Sequence, residues 1–192
     1  MPIPYREASD LDALGAAGYF KVDPAPLVPG YLGALFLINA RGEPIEFTYN
    51  RIETPHPFLW RRDDVEQYAA RQLAISLLSL CPKLPRLILC LAGEVGDSLF
   101  SRDVRLSVPV CRVVRAGDPA PTSGAAPVGA GPEGRSGDMA ADLSWIPAIP
   151  AEDSLEAQLL RELRAHELLL EPFERASAGL REVYGARAQA AP

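Results

Sequence analysis

The sequence predicts a mixed α/β fold: a small sheet of four to five strands opened by a β-hairpin, one central helix, and a C-terminal amphipathic helix or kinked helix pair behind a flexible linker. Three observations carry this. Apolar runs at 31–39 and 87–92 have the length and composition of covered strands. Apolar residues at steps of three and four fill 65–80 and recur from 155 to 184. Between core and tail lies a stretch of different material, in which Gly, Pro and Ala supply 15 of the 23 residues from Ala116 to Asp138.

Residues 1–30 read as a Pro-rich lead-in, in which Asp10 can cap a short helix through Leu11, Leu14 and Ala17 that Gly18 ends. Residues 31–115 form the core domain. Tyr31–Asn39 is almost uniformly apolar, and Pro44–Asn50 alternates Ile45, Phe47 and Tyr49 with Glu46, Thr48 and Asn50. Joined by a short loop, they make a hairpin in which Gly42 takes the positive φ. Asp63 and Glu66 have capping-box spacing at the start of a helix running to about Leu80, where Pro82 and Pro85 stop it. Arg86–Ala92 is a second buried strand. Val104–Leu106 and Val108–Val114 supply one bent strand or two, and Pro109, lacking a donor, places them at a sheet edge or a bulge. Residues 116–139 are the linker and 140–192 a helical tail, kinked or divided at Pro172.

Composition bounds the function. Of 192 residues, 48% are hydrophobic and 23% charged, a globular balance that excludes wholesale disorder. The apolar runs fall short of the ~18–20 residues of a membrane span, and MPIPYREASD lacks a basic region followed by an apolar core, so neither an anchor nor a secretory signal is expected. Residues 1–115 carry 13 acidic and 13 basic side chains, so the whole net charge of -6 belongs to the remainder. Neither part offers the broad positive field that a tightly held polyanion demands. Cys81, Cys90 and Cys111 are odd in number and set in apolar runs, which points to buried thiols in a reducing cytoplasm.

Several residues are candidates for chemistry. Glu94 and Asp97 follow a buried strand, where carboxylates of α/β enzymes hold metals or act as bases, and Glu46 can join them in a metal-dependent hydrolase or nuclease. Trp60, Arg61 and Arg62, with Arg51 and His56, suit stacking on bases and pairing with phosphates, although Asp63 and Asp64 adjoin them. Leu159, Leu163, Leu168, Leu169, Leu170 and Phe173 give the tail an apolar stripe that some protein surface must cover. A Gly-x-Ser-x-Gly elbow, a P-loop and a dinucleotide fingerprint are all missing, and no resident cofactor or metal is expected.

The hairpin Gly33-Ala-Leu-Phe-Leu-Ile-Asn-Ala-Arg-Gly-Glu-Pro44 and the order of elements resemble the small profilin-like folds, including roadblock-type scaffold subunits, over residues 31–115. That resemblance carries no functional residue across. The missing catalytic signatures, the linker and the apolar break at Leu168–Leu170 make the leading expectation a non-enzymatic interaction module or complex subunit in the cytoplasm, self-associating or meeting a protein partner through its tail. Nucleic acid is the less favoured partner. A metal-dependent hydrolase or nuclease and a nucleic-acid-binding accessory protein are the alternatives.

Overall fold

The computed structural model describes residues 2–4, 13–26, 29–54, 57–96, 98–114 and 142–189. Its centre is one seven-stranded sheet of strands β1 (Pro2–Pro4), β2 (Ala17–Pro24), β3 (Gly30–Ile38), β4 (Pro44–Glu53), β5 (Leu87–Leu91), β6 (Val110–Val114) and β7 (Asp142–Ile146). The spatial order is β1-β4-β3-β2-β5-β6-β7. The β2–β5 and β5–β6 pairs are parallel and the other four antiparallel. The sheet thus exceeds the four to five strands expected, while remaining mixed α/β.

Two of the three extra strands, β1 and β2, lie in the Pro-rich region 1–30. Ala17–Pro24, read as part of the lead-in, is a central strand buried between β3 and β5. Gly18 ends no helix there. It is a strand residue with Pro85 pressed so close that an added Cβ would come within 2.8 Å of the proline ring. Three prolines gather at 24–29, and the strand ends at the first of them, as restricted backbone requires. β1 contains two prolines and lies at the edge, the only place where a missing donor costs no ladder bond. Residues 142–146, which the sequence assigns to the helical tail, pair with β6 instead. Pro109 therefore borders an interior strand: it stands just before β6, and its carbonyl accepts from Ile88 N at 3.1 Å. The proposed linker and the cap Asp10 lie outside the described residues.

The hairpin β3–β4 forms around Asn39, whose Oδ1 accepts from the backbone N–H groups of Arg41 and Glu43, each at 3.0 Å, with Gly42 at φ +80°. Helix α1 (Arg62–Leu80) begins two residues earlier than a cap at Asp63 would place it, and without the capping box. Arg62 Nε donates to Glu66 at 2.9 Å, which draws that carboxylate away from the helix entry.

Alternation along β2 separates two cores. Phe20 and Val22 face α1 with Leu35, Leu73 and Leu77. Ala17 and Tyr19 face the tail helices α2 (Leu155–Ala165) and α3 (Glu171–Gln189), meeting Leu159, Leu163 and Phe173. Ser154 caps α2, its hydroxyl accepting from Ala157 N at 3.1 Å. Tyr19 packs edge-on against Phe173 and donates its hydroxyl to Leu168 O at 2.6 Å. The tail helices are thus one layer of the molecule.

Candidate functional site

The parallel strands β2 and β5 end side by side, and charged groups collect where they stop. Continuing the alternation, Lys21 and Asp23 follow Tyr19 on the tail-helix face of β2. After β5 the chain turns, with Glu94 N and Val95 N both donating to Leu91 O at 3.1 Å. This turn brings the Glu94 carboxylate back over β2. Its Oε2 accepts from Val22 N at 3.3 Å and its Oε1 receives the Lys21 ammonium. Arg112, buried on β6, braces the turn by donating to the carbonyls of Ala92 and Val95 at 3.3 and 2.9 Å. The same ammonium reaches Asp23 Oδ1 at 2.7 Å, and Ser177 of α3 donates to Asp23 Oδ2 at 2.8 Å.

Lys21 is therefore the hub of a compact acid–base–acid cluster. Its side chain is 8% exposed, against 27% for Asp23 and 20% for Glu94. Burial pushes the Glu94 carboxyl above its ordinary range, and the Lys21 hydrogen bond and charge pull it part of the way back.

A cleft of ≈ 680 Å³ opens at the same edge of the sheet, bordered by Pro24–Pro26, Pro29–Tyr31, Thr54, Trp60, Arg62 and Val65. Its outer rim is unusually apolar for solvent-facing surface: Phe58 is 91% exposed, Leu59 84% and Trp60 43%. Trp60 stands edge-on to Tyr68 with ring centroids 5.7 Å apart, which fixes its plane. Arg61 is exposed, and the Arg62 side chain, 88% exposed, holds Glu66. These residues form the entry to α1, and Arg62 and Val65 of its first turn line the cleft.

The structure brings together only some of the residues singled out by sequence. Glu46 is buried on β4, accepts from Thr48 Oγ1 at 2.6 Å, and lies near Cys81 at the C-terminal end of α1. Through the register it is level with Gly18, several residues short of Lys21, and two strands away from β2. It does not converge with Glu94. Asp97 and His56 lie outside the described residues. Arg51 pairs with Glu53 at 3.3 Å and stands opposite Leu32, so it points to the tail-helix face while Arg61 and Arg62 open α1 on the other. The stripe of Leu159, Leu163, Leu168 and Phe173 is buried within the chain, with Leu169 and Leu170 half-buried beside it. Sequence reasoning missed Lys21, Asp23 and Tyr31. A lysine within the apolar run Ala17–Val22 was the available signal, since lysine is buried only with a partner.

A metal-dependent hydrolase needs carboxylates free to take a divalent cation. Here each oxygen of Asp23 and Glu94 already faces a donor: Lys21 twice, Val22 N and Ser177 Oγ. A divalent ion about 4 Å from the Lys21 ammonium would meet repulsion of about 8 kcal/mol at an effective dielectric constant near 20. The cluster does not fit such an ion as it stands, and among the described residues no group of three or more His, Cys, Asp and Glu side chains could hold one. Cys90 and Cys111 are buried as expected, but Cys81 is half-buried; desolvation pushes Cys81 up to about 11 and Cys90 to about 12, away from thiolate character.

No protein-family model matches the sequence, and no curated protein is significantly similar to it. Among solved structures, the chain is similar to endonuclease V from Streptomyces avermitilis, with a TM-score of 0.55 and 19% identity, over 91% of this chain and 83% of that one. It is also similar to endonuclease V from Bacillus subtilis (TM-score 0.40, 13% identity, 59% of this chain and 48% of that one). A third similar structure is endonuclease V from Ciona intestinalis with a 24mer DNA containing an inosine followed by a ribo-adenosine (TM-score 0.39, 12% identity, 59% and 52%). The chain spans about half the length of these last two proteins. The expectations of a profilin-like scaffold, of a non-enzymatic interaction module and of a protein partner seated on the tail are corrected accordingly. The tail stripe is already covered by this chain's own sheet, and the seven-stranded mixed sheet with its helices resembles the fold of endonuclease V.

Proposed function

We propose that the protein acts on nucleic acid, holding a strand across the rim at the carboxyl ends of its parallel strands, on a scaffold of nuclease type. The likeness in fold to the Streptomyces endonuclease supports this reading, and nucleic acid, the partner that the sequence ranked lower, is the one it favours. The observation that carries it is the rim itself. Exposed Phe58, Leu59 and Trp60 stand beside Arg61 and Arg62 at the mouth of a cleft lined by Tyr31. Aromatic faces take bases whatever their identity, and each base–aromatic stack contributes about 1–3 kcal/mol. Arginine adds phosphate pairing and stacking on the same bases.

Residues 1–115 are electrically balanced, so stacking carries more of the affinity than the field of the protein. A cytoplasmic setting goes with this reading, since three thiols stand free. Among the described residues no helix is long and apolar enough to cross a membrane.

Fluorescence anisotropy with labelled single-stranded and duplex oligonucleotides tests the proposal. Saturable binding is expected at 50 mM salt and weaker binding at 200 mM. Trp60→Ala should weaken it about tenfold, the equivalent of one lost stack. A wild-type chain without saturable binding, or a Trp60→Ala chain binding as tightly as the wild type, would refute the rim.

A further inference from the structure

The cluster at the ends of β2 and β5 has the plan of a cation site with the cation already built in. Two carboxylates from adjacent parallel strands converge on one point, a backbone turn braced by Arg112 holds one of them, and an α3 hydroxyl holds the other. At that point lies an ammonium tethered to β2. We infer that Lys21 occupies the place a divalent cation would take between Asp23 and Glu94, so that this cluster neither binds such an ion nor drives metal-assisted cleavage of a strand bound at the rim. This inference rests on the nucleic-acid reading only for what is bound. Its statement about the cluster stands on the cluster's geometry alone.

The physical reason is replacement in kind. A lysine gives one positive charge and three donors at the centre of the acids. Each carboxylate oxygen thereby has a donor without either acid losing its place, and the ammonium's charge repels a second cation. An ammonium held between two partly buried carboxylates is screened by salt far less than an exposed one. Removing the ammonium should therefore uncover what it replaces, two acids held ready around an unfilled space.

The test is Mn²⁺ titration of the full chain by calorimetry, with the melting temperature followed in parallel and oligonucleotide cleavage assayed in Mg²⁺ and Mn²⁺. The wild type is expected to show no saturable Mn²⁺ binding, no shift in melting temperature and no cleavage. Lys21→Met should gain one Mn²⁺ per chain and a rise of several degrees on adding it, and a second change, Glu94→Gln, should abolish both. If Lys21→Met folds only when Mn²⁺ is supplied, the inference is equally supported. If that variant stays unfolded in Mn²⁺, or folds and takes up no ion, Lys21 is not what keeps a cation out. Wild-type binding of Mn²⁺, or cleavage, that Asp23→Asn removes would also overturn it. Loss of oligonucleotide binding with the cation results intact would instead strike the nucleic-acid reading, so the two fail separately.

Discussion

At the residue scale, Lys21 shows how one side chain sets the chemistry of its surroundings. Removing one partner of a buried, hydrogen-bonded charge group costs about 3–5 kcal/mol, because the charges left behind have lost their solvent and their counter-ion. Partial exposure of Asp23 and Glu94 places Lys21→Met at the lower end, about 3 kcal/mol at neutral pH. The pH dependence has a definite sign. Burial alone raises Glu94, and the ammonium opposes it, so without Lys21 the folded-state pKa moves further above its unfolded value. The folded variant then binds protons that the unfolded chain releases, and its stability rises as pH falls through that raised value. Urea unfolding between pH 8 and pH 4 should therefore show the gap between wild type and variant narrowing toward acid. A gap that stays constant or widens toward acid would show that the lysine is not neutralising these carboxylates.

At the scale of elements, the tail helices belong to the core. Leu163 and Phe173 are fully buried against β2 and its neighbours, and truncating either leaves a cavity. Leu163→Ala should cost about 3 kcal/mol and Phe173→Ala about 4 kcal/mol by chemical denaturation, whereas a detachable tail would show less than 0.5. Gly179 lets α3 lie against the Phe47 ring of β4: a Cβ there would stand 2.8 Å from that ring. Gly179→Leu should lower the melting temperature, and pairing it with Phe47→Ala should recover part of the loss. No recovery would mean that α3 does not press on β4 at this point.

Which elements were legible follows from the same contacts. The hairpin β3–β4 and helix α1 show in the sequence because a local pattern decides each of them, alternation about Gly42 in one and a periodic stripe ended by Pro82 in the other. β2 and β7 did not, because their pairing is decided at a distance. Ala17–Pro24 is a strand by virtue of β3 and β5 on either side, and Asp142–Ile146 by virtue of β6, across 27 residues that no local rule can bridge. The site suffered for it. With β2 read as a lead-in, Lys21 and Asp23 had no strand to place them beside Glu94, and Glu46 stood in for them on spacing alone. The rim residues Trp60, Arg61 and Arg62 were visible, since composition at a helix entry survives any error in the sheet.

At the scale of the whole molecule, one sheet covered on both faces makes the chain a single cooperative body among the described residues. A chain ending at residue 139 would lose β7, α2 and α3 together and bare Tyr19, Phe36 and Phe47. It should bind hydrophobic dye and melt without a cooperative transition, and a sharp, native-like melt would contradict this architecture. The same sheet sends the ends of β2 and β5, the cleft and the entry of α1 to one edge, and the account stands or falls on that edge being where a nucleic-acid strand lies. Amide hydrogen exchange of the full chain with and without a saturating oligonucleotide measures this directly. Slowed exchange is expected at residues 29–31 and 58–65 alone, with the tail helices unchanged; protection over α2 and α3, or none at the rim under saturating conditions, would refute a strand at this edge.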